Sequence, residues 1–593
     1  MRQQKNSRTD LGTVILHWGT VLTLIVSLVT GLRIAADSPG LSWLLYVGAI
    51  LPQGAVWRVH LLAGLALTCV AVAYAIYIMR AHLSKRIKLD QARLSGLAHH
   101  GKARWAAVNV ALYWALYGAL ALQAATGLLL YMGYGNTLVT AHFAGAMALL
   151  AFPALHVGLH YLLGGANQLL RIFRPTSIEQ PKSVQSFMDI LLEHYVARNT
   201  NPEPPPQREV KSHGVSLHAH PLAVAGAAAL AAGFAVLSSD FASDDTLTIA
   251  RIAEAQVPRV DGDISDTAWH YAKPLVIETN QGVNFGGTGT SRVEVRAVHS
   301  KKFAFFAFTW EDPSRSLKHL PLIKTEDGWR VLQEKYDIED EDSYYEDKLA
   351  VMFSRSSEMG GGGTAHLGAK PLSALPAAYS GRGLHYTTDD SIVDVWHWKA
   401  ARGGLFGWVD DNYFGPPAKP KPEEVAGTSR YKAGYATDPG KAVYSNNFAH
   451  EPQGGYRRPV EPKRLPISVE ATTTAMGRID LNPNHGEAEA TRWWMTEAES
   501  QPYSSDVDAI IPVGTVIPGV LVAGTYEGDR ADIKGAAHWA AGRWTLELFR
   551  QMNTGTKFDV PFESGISMWV AAFDHSQTRH TRHLKPITLE VEQ

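Results

Sequence analysis

The chain has 593 residues, of which 46% are hydrophobic, and a formal net charge of −2. This length predicts several domains. With 24 histidines and a single cysteine, Cys69, the composition excludes disulfides, cysteine-ligated iron–sulfur clusters, cysteine zinc sites and covalently attached c-type haem. The small net charge hides two unlike parts. Residues 1–240 carry 18 Lys and Arg against 9 Asp and Glu, and residues 241–593 carry 37 against 48.

Long uncharged runs occupy much of the first 240 residues. A bilayer core about 30 Å thick needs about 20 apolar residues per helix. The runs therefore predict five membrane spans, at 12–33, 58–80, 107–131, 138–163 and 219–238. Lys and Arg are concentrated before the first span, between the second and third, and after the fourth. By the positive-inside rule, the N-terminus is cytoplasmic in the inner membrane of a bacterium, and the part after the fifth span is periplasmic.

Four of the histidines inside these spans lie at two matched depths. His17 matches His156 toward the cytoplasmic side, and His60 matches His142 toward the outer side. His142 and His156 are 14 residues apart, so on one helix they share a face and lie about 21 Å apart along the axis. Imidazole is a common haem ligand, and helix bundles build cofactor sites from facing side chains. The pattern predicts two b-type haems. Hydrogen bonding between helices is the alternative role, and His160 is an alternative to His156.

The residues around these histidines resemble a known family. The stretches LHWGTVLTLIVSLVTGLRI, RVHLLAGLAL and AHFAGAMALL…ALHVGLHYLL are similar to the bacterial di-haem cytochromes b, which include the cytochrome b subunit of nickel-dependent hydrogenases. The resemblance covers residues 8–175 and includes all four ligand positions. It implies a quinone-linked electron carrier embedded in membrane lipid. It does not imply the hydrogenase, because the family serves many partners.

The sequence changes character after the fourth span. Residues 176–215 are predicted to be a cytoplasmic linker with a Pro-rich stretch, and residues 216–240 the fifth transmembrane helix. From about residue 250, short alternating runs such as SRVEVRAVHS and RWTLELF are typical of half-buried strands. Gly- and Pro-rich loops are predicted at 359–385 and 410–465. The fold is therefore predicted to be multidomain: an all-α transmembrane four-helix bundle, a fifth span, and an exported all-β, sandwich-like domain.

Motifs of the exported part resemble a second family. In chain order they are VDGDISDTAWHYA, FAFFAFTWEDPSRS, DKLAVMFS, DVWHWKAAR and MWVAAFDHSQTRHTRHLKPITLEV. Together they are similar to the haem-binding domain of the ethylbenzene dehydrogenase gamma subunit and of related dimethyl sulfoxide reductase-family partners. The resemblance covers residues 250–593, with 410–465 as an insertion. It implies a single b haem held by a methionine, which corresponds to Met352, and by a lysine near the C-terminus.

The second ligand of that haem has three candidates. The lysine position of the family falls close to His583, with Lys585 two residues later and His580 three residues earlier. His583 is the predicted ligand, because a neutral imidazole binds iron without the deprotonation that an amine requires. Lys585 is the alternate. Relatives that attach haem covalently carry a Cys-X-X-Cys-His motif, which is replaced here by GGTAH at 362–366.

The leading hypothesis is a membrane-bound cytochrome that transfers electrons between the quinone pool and a soluble periplasmic redox protein. Two membrane haems and one periplasmic haem would carry the electrons. No molybdopterin, flavin or P-loop signature is present, we expect no nucleic-acid partner, and the sequence leaves open whether the chain is itself a quinol oxidoreductase. Two alternatives are a membrane-anchored ligand-binding or sensory module, since the VDG…D…W opening also resembles carbohydrate-binding β-sandwiches, and a periplasm-facing metal reductase.

Overall fold

A computed structural model describes residues 9–36, 44, 47, 50–52, 56–98, 100–132, 136–176, 220–241, 245–280, 282–333, 343–357, 387, 390–416, 434–449, 459–577, 580–583 and 585–593. Nearly all of the predicted linker at 176–215 lies outside them, as does the whole of the predicted loop at 359–385. The chain forms two compact units. The first consists of residues 1–28, 61–124 and 144–242, and the second of residues 29–60, 125–143 and 243–593.

Among the residues that the structure describes, five helices are long and apolar enough to cross a membrane. They are α1 (Leu11–Ala36), α2 (Val56–Arg80), α3 (Lys102–Tyr131), α4 (Asn136–Leu169) and α5 (Pro221–Phe241). Each overlaps one predicted span, which confirms the prediction of a multi-pass membrane protein. Large apolar side chains cover their outer surfaces: Leu22, Leu230 and Phe234 are 65%, 78% and 73% exposed. Such surfaces are stable against lipid and would be unfavourable in water.

The helices of the first unit pack through small and branched apolar residues. One buried cluster takes a leucine from each of α1 to α4, namely Leu24, Leu67, Leu120 and Leu149. The fifth helix packs on α2, where Ala225 contacts Ala73 and Tyr77. A short parallel strand pair joins Thr9–Asp10 to Pro175–Thr176, so the two ends of the four-helix region meet. Four helices therefore share one core in this unit, as predicted.

The β domain begins at residue 245 and is built on a curled 12-stranded sheet. Its strands are β1 (Thr246–Arg251), β2 (Leu275–Thr279), β3 (Ser291–His299), β4 (Phe303–Glu311), β5 (Lys348–Ser354), β6 (Val393–Lys399), β7 (Asp410–Phe414), β8 (Tyr435–Thr437), β9 (Lys534–Ala540), β10 (Arg543–Gln551), β11 (Ser567–Phe573) and β12 (Ile587–Val591). Their order is β8-β7-β6-β5-β11-β12-β1-β3-β4-β10-β9, with β2 paired to β3. Pairing is antiparallel except that β1 runs parallel to β12 and β3.

Smaller elements complete the β domain. Short strands pair at Leu322–Thr325, Gly328–Val331, Gly440–Lys441, Tyr444–Asn446, Arg464–Pro466, Trp494–Thr496, Ser500–Pro502, Val516–Ile517, Val520–Val522 and Glu527–Gly528. Two short helices lie at Val469–Met476 and Ser505–Ile510. The main core is aromatic, and Trp310, Trp398 and Trp544 contact one another at its centre. The prediction of an all-β second part is confirmed.

The segment 410–465, predicted as a loop, also contributes strands. β7 and β8 extend the large sheet beyond β6. The sequence of β7, DDNYF, does not alternate between apolar and polar residues. Its first two residues, Asp410 and Asp411, are buried although they are acidic. Hydrophobic periodicity does not detect a strand of that kind.

Candidate functional site

His60 on α2 and His142 on α4 face each other in the second unit. Their ring centroids are 6.2 Å apart and their planes cross at 82°. Two imidazoles that ligate one metal ion through nitrogens at about 2.0 Å have their centroids about 6 Å apart. The space between these rings therefore fits a single iron atom. We call His60 and His142 the second pair.

A threonine hydroxyl from a neighbouring helix supports each histidine of the second pair. Oγ1 of Thr30, on α1, lies 3.1 Å from Nδ1 of His60. Oγ1 of Thr126, on α3, lies 2.8 Å from Nδ1 of His142. A hydrogen bond at Nδ1 holds the ring in place and directs Nε2 toward a metal. The four helices thus contribute one ligand or one support each.

Each of these threonines is followed by a glycine that makes room for the ring. A Cβ atom on Gly31 would lie 3.0 Å from Cε1 of His60, and one on Gly127 would lie 3.2 Å from Cε1 of His142. Both glycines therefore permit close approach of the imidazole to the helix. We call these residues the Thr-Gly supports: Thr30, Gly31, Thr126 and Gly127. The sequence analysis missed them, although the repeated triplet Thr-Gly-Leu in α1 and α3 was a readable signal.

The first pair, His17 on α1 and His156 on α4, has the same spacing. The ring centroids are again 6.2 Å apart, with planes tilted by 34°. The ring of Phe152 stacks on His156 at 5.3 Å. Nδ1 of His156 is buried and has no hydrogen-bond partner among the residues that the structure describes. The two rings are separated by the width of one iron, and one of them has a buried nitrogen without a partner. This arrangement fits haem ligation.

His160 has a different environment from His156. Its Nε2 lies 2.9 Å from the hydroxyl of Tyr113, on α3. Its ring lies 4.6 Å from that of His156, so the two histidines are neighbours on the helix. Because the tyrosine occupies the nitrogen of His160, the geometry favours His156 as the partner of His17.

In the β domain, Met352 lies on β5, opposite Val395 on β6 and Trp569 on β11. It is 7% exposed and belongs to a small apolar cluster with Val393, Val395, Phe414 and Trp569. Its strand neighbours enter the main core, so Met352 faces the other side of the sheet. The side chain of Met352 therefore packs among apolar residues, as a methionine in a protein core does.

The other predicted ligands of the β domain are held by hydrogen bonds or ion pairs. Nε2 of His583 accepts the backbone N–H of Val570 at 2.9 Å, and Nδ1 lies 2.7 Å from the carbonyl of Lys585. Burial lowers the pKa of His583 to about 4, so the ring is neutral. The ammonium of Lys585 pairs with Asp245, and Nδ1 of His580 bonds the carbonyl of Thr581 at 2.8 Å. Both ring nitrogens of His583 are therefore engaged in hydrogen bonds with the backbone.

His397 is a residue that the sequence analysis missed in this region. It lies on β6, two residues from Val395, on the same face of the sheet as Met352. Its Nε2 is buried and has no hydrogen-bond partner within the described part of the chain. Its ring contacts Phe573 at 5.5 Å. The motif WHW contained the signal, because both flanking tryptophans are fully buried in the main core and His397 must point away from it.

Comparison with known families agrees with the two-part organisation. Residues 8–175 match the family described as prokaryotic cytochrome b561. Residues 266–584 match the family described as ethylbenzene dehydrogenase. The first match covers the predicted di-haem cytochrome region, and the second lies within the predicted haem-binding domain. No curated protein matches the chain.

Solved structures give weaker likenesses. A putative carbohydrate-binding protein from Bacteroides uniformis ATCC 8492 is 9% identical, covers 59% of this chain and 100% of its own, and has a TM-score of 0.23. A family 9 carbohydrate binding module from Caldicellulosiruptor kristjanssonii in complex with glucose is 6% identical, covers 58% and 94%, and has a TM-score of 0.18. Scores this low carry no argument about fold or ligand.

Proposed function

The chain belongs to the ethylbenzene dehydrogenase family, and we propose that it is a membrane-bound b-type cytochrome that links the quinone pool to a soluble redox protein. In this proposal the helices cross the inner membrane of a bacterium, the N-terminus is cytoplasmic, and the β domain is periplasmic. The match of residues 8–175 to prokaryotic cytochrome b561 supports electron transfer by b-type haem in the membrane.

The observation that carries the proposal is the equal spacing of the two histidine pairs, 6.2 Å in each. His17 and His156 would hold one haem b, and His60 and His142 would hold the other. When bound, each haem supplies a centre that gains and loses one electron. The four histidines would ligate the two irons, and the Thr-Gly supports would fix the ring orientation in the second pair. The apolar helices around the sites would exclude water.

The β domain would provide the contact with the soluble partner. Residues 241–593 carry eleven more acidic than basic residues. A surface of one sign attracts an oppositely charged protein and raises the rate of encounter. A basic redox protein therefore suits this domain. A haem held by Met352 and His583 stays a prediction, and no electron-transfer step is assigned to it, because both ring nitrogens of His583 are bonded.

Quinol-driven reduction in proteoliposomes tests this function. The purified full chain is reconstituted and mixed with duroquinol, and the haem absorbance is followed. We expect duroquinol to reduce the b haems and mitochondrial cytochrome c, added on the side of the β domain, to reoxidise them. His17→Ala and His60→Ala should each interrupt this transfer, because each removes a ligand of one of the two haems.

The control is His82→Ala, which replaces an exposed histidine between α2 and α3 and should leave the transfer unchanged. Haem that is reduced by dithionite but not by duroquinol would contradict the link to quinone. Haem that is reduced by duroquinol but not reoxidised by cytochrome c or by another soluble acceptor would contradict the periplasmic branch.

A further inference from the structure

Three buried aspartates project from one face of the large sheet, near its β8 end. Asp394 lies on β6 and Asp411 on β7, and their register places both side chains on the same face. The backbone N–H of Asp438 donates to the carbonyl of Asp411 at 3.1 Å, which continues the pairing of β8 with β7. Asp438 therefore lies beside Asp411 at the edge of the sheet.

A fourth aspartate, Asp559, approaches them from the segment between β10 and β11. One carboxylate oxygen each of Asp394, Asp411 and Asp559 lies within 4.8 Å of the other two. All four side chains are buried, and the most exposed is 8% accessible. We call these residues the four-aspartate cluster: Asp394, Asp411, Asp438 and Asp559.

Arg550 is the basic side chain that reaches the cluster. Its fully buried guanidinium binds Asp394 and lies 3.1 Å from Asp559. The backbone N–H of Val560 donates to the same oxygen of Asp394 at 3.2 Å, and the hydroxyl of Thr556 donates to Asp559 at 3.2 Å. One guanidinium balances one of four carboxylate charges. With all four carboxylates ionised, the cluster would hold a large excess of negative charge away from water.

Five oxygens of the cluster have no hydrogen-bond donor in the part of the chain that the structure describes. They are Oδ1 of Asp394 and both oxygens of Asp411 and Asp438. Asp438 is 1% exposed, so solvent does not replace the missing donors. A buried carboxylate without donors is costly unless it is protonated or binds a cation. The charges of Asp559 and Asp394 act on the carboxyl of Asp438, so its two unpartnered oxygens lie close to these aspartates.

The chemistry of the cluster suits a hard divalent cation. Ca²⁺ binds carboxylate oxygens at about 2.3–2.6 Å, so oxygens of one coordination sphere lie within about 5 Å of one another. Mg²⁺ requires shorter bonds and near-ideal octahedral geometry, and it usually keeps several waters. Without a cation, burial and then repulsion from Asp394 raise the pKa of Asp411, and burial and then repulsion from Asp559 raise the pKa of Asp438 to about 8.

We propose that the four-aspartate cluster binds one Ca²⁺ ion. The ion joins β6, β7 and the chain just after β8 to the segment that carries Asp559. It therefore fastens the edge of the sheet to the interior of the β domain. β7 and β8, the two strands at this edge, would be the first to separate from the sheet when calcium is removed.

The test compares the full chain after EGTA treatment with the same protein in about 2 mM CaCl₂, a concentration above the ~10⁻⁴–10⁻³ M dissociation constants of extracellular calcium modules. After gel filtration we expect one Ca²⁺ per chain by elemental analysis. We also expect the melting temperature of the β domain, followed by tryptophan fluorescence, to be about 3 °C higher with calcium. Mg²⁺ at the same concentration should give a smaller shift.

Two substitutions in the cluster, Asp411→Asn and Asp438→Asn, should abolish calcium binding. In EGTA they should melt no lower than the unmodified protein, because each removes a repelling charge. The matched control is Asp410→Asn. Asp410 is the neighbouring residue on β7, equally buried, but its carboxylate binds Lys399 and Arg530. This control should lower the melting temperature and keep the calcium-dependent shift, since it breaks an ion pair outside the site.

An unmodified protein that retains no Ca²⁺ and melts identically in EGTA and calcium would overturn the proposal. So would a calcium shift that persists in both Asp411→Asn and Asp438→Asn, since the ion would then lie elsewhere. An equal shift with Mg²⁺ would overturn the assignment to calcium. If Asp410→Asn does not fold, metal content and melting of the two cluster variants still decide the question.

Discussion

At the scale of single residues, the hydroxyls of Thr30 and Thr126 determine how the second histidine pair is presented. Each hydroxyl forms a hydrogen bond with Nδ1 of its histidine. Nε2 of each histidine is thereby left for the iron. Hydrogen-bond partners of metal ligands typically change metal affinity by about 10–100-fold when they are removed. The second haem should therefore depend on these hydroxyls, whereas the first should not.

Thr126→Val tests this dependence. We expect the haem of the second pair to dissociate on the order of 10-fold more readily, because the ring of His142 loses its orienting bond. The rate of haem transfer to apomyoglobin measures the effect. The control is Thr68→Val on α2, whose hydroxyl bonds the carbonyl of Gly64 and no histidine. Equal rates in both variants would show that the threonine has no role at the site.

The glycines of the supports make a steric prediction. Gly127→Ala would place a methyl group 3.2 Å from the ring of His142, closer than ordinary contact. We expect the variant to lose the haem of the second pair or to shift its absorbance band and potential. Gly64→Ala on α2 is the control, since a Cβ atom there meets nothing within 4 Å. An unchanged spectrum for Gly127→Ala would contradict the role of close approach.

Sequence reasoning reached the histidines more easily than their surroundings. A titratable residue in an apolar span stands out, and the depths of His17, His60, His142 and His156 could be matched by counting. Matching depths does not identify the supports, because threonine and glycine are common in membrane helices, and only the repeated triplet Thr-Gly-Leu pointed to them. In the β domain, sequence could place Met352 on a strand, but it could not show that both nitrogens of His583 are bonded to backbone groups.

At the scale of elements, the helices were predictable and the edge strands were not. Bilayer thickness sets the length of a membrane-spanning apolar helix. The positions of α1 to α5 could therefore be predicted from the uncharged runs in the sequence. The central strands followed from alternation. β7 was missed because its first two residues are buried aspartates, so its sequence pattern does not reveal its burial. β8 was missed because it has only three residues and none of them is fully buried. β7 depends on a partner distant in sequence, because Arg530 binds the carboxylate of Asp410.

The C-terminal segment offers a prediction about pH. His583 joins Val570 of β11 to the chain before β12 as a neutral ring, with its pKa lowered to about 4 by burial. Because the unfolded state binds the proton more tightly, this contribution is complete above about pH 6.5 and is lost as the pH falls toward 4. We expect the free energy of unfolding to be about 2 kcal/mol lower at pH 5 than at pH 7 on this account.

His583→Gln, which can still accept the Val570 N–H, should remove that part of the pH dependence. Urea unfolding followed by tryptophan fluorescence at both pH values measures it. Haem absorbance is the second readout, since the family resemblance made His583 an iron ligand. A variant that loses β-domain haem while keeping the full pH dependence would contradict the anchoring role that the hydrogen bonds indicate.

At the scale of the whole molecule, charge is divided between the two parts of the chain. The first 240 residues have an excess of nine basic residues and the remainder an excess of eleven acidic ones. We expect the rate at which the basic mitochondrial cytochrome c oxidises the reduced protein to fall on the order of 10-fold between low and physiological salt. The anionic oxidant ferricyanide is the control, and its rate should rise with salt. A salt-independent rate for cytochrome c would show that the acidic domain does not guide the partner.

The central claim is that two histidine pairs hold two separate haems, and haem content measures it most directly. Detergent-purified protein and its four single variants, with alanine at His17, His60, His142 or His156, are analysed as pyridine haemochromes and by redox titration. The account predicts b-type spectra, with the same haem lost from the two variants of each pair and the other haem retained. Loss of both haems from every variant, or full retention in any one of them, would contradict it.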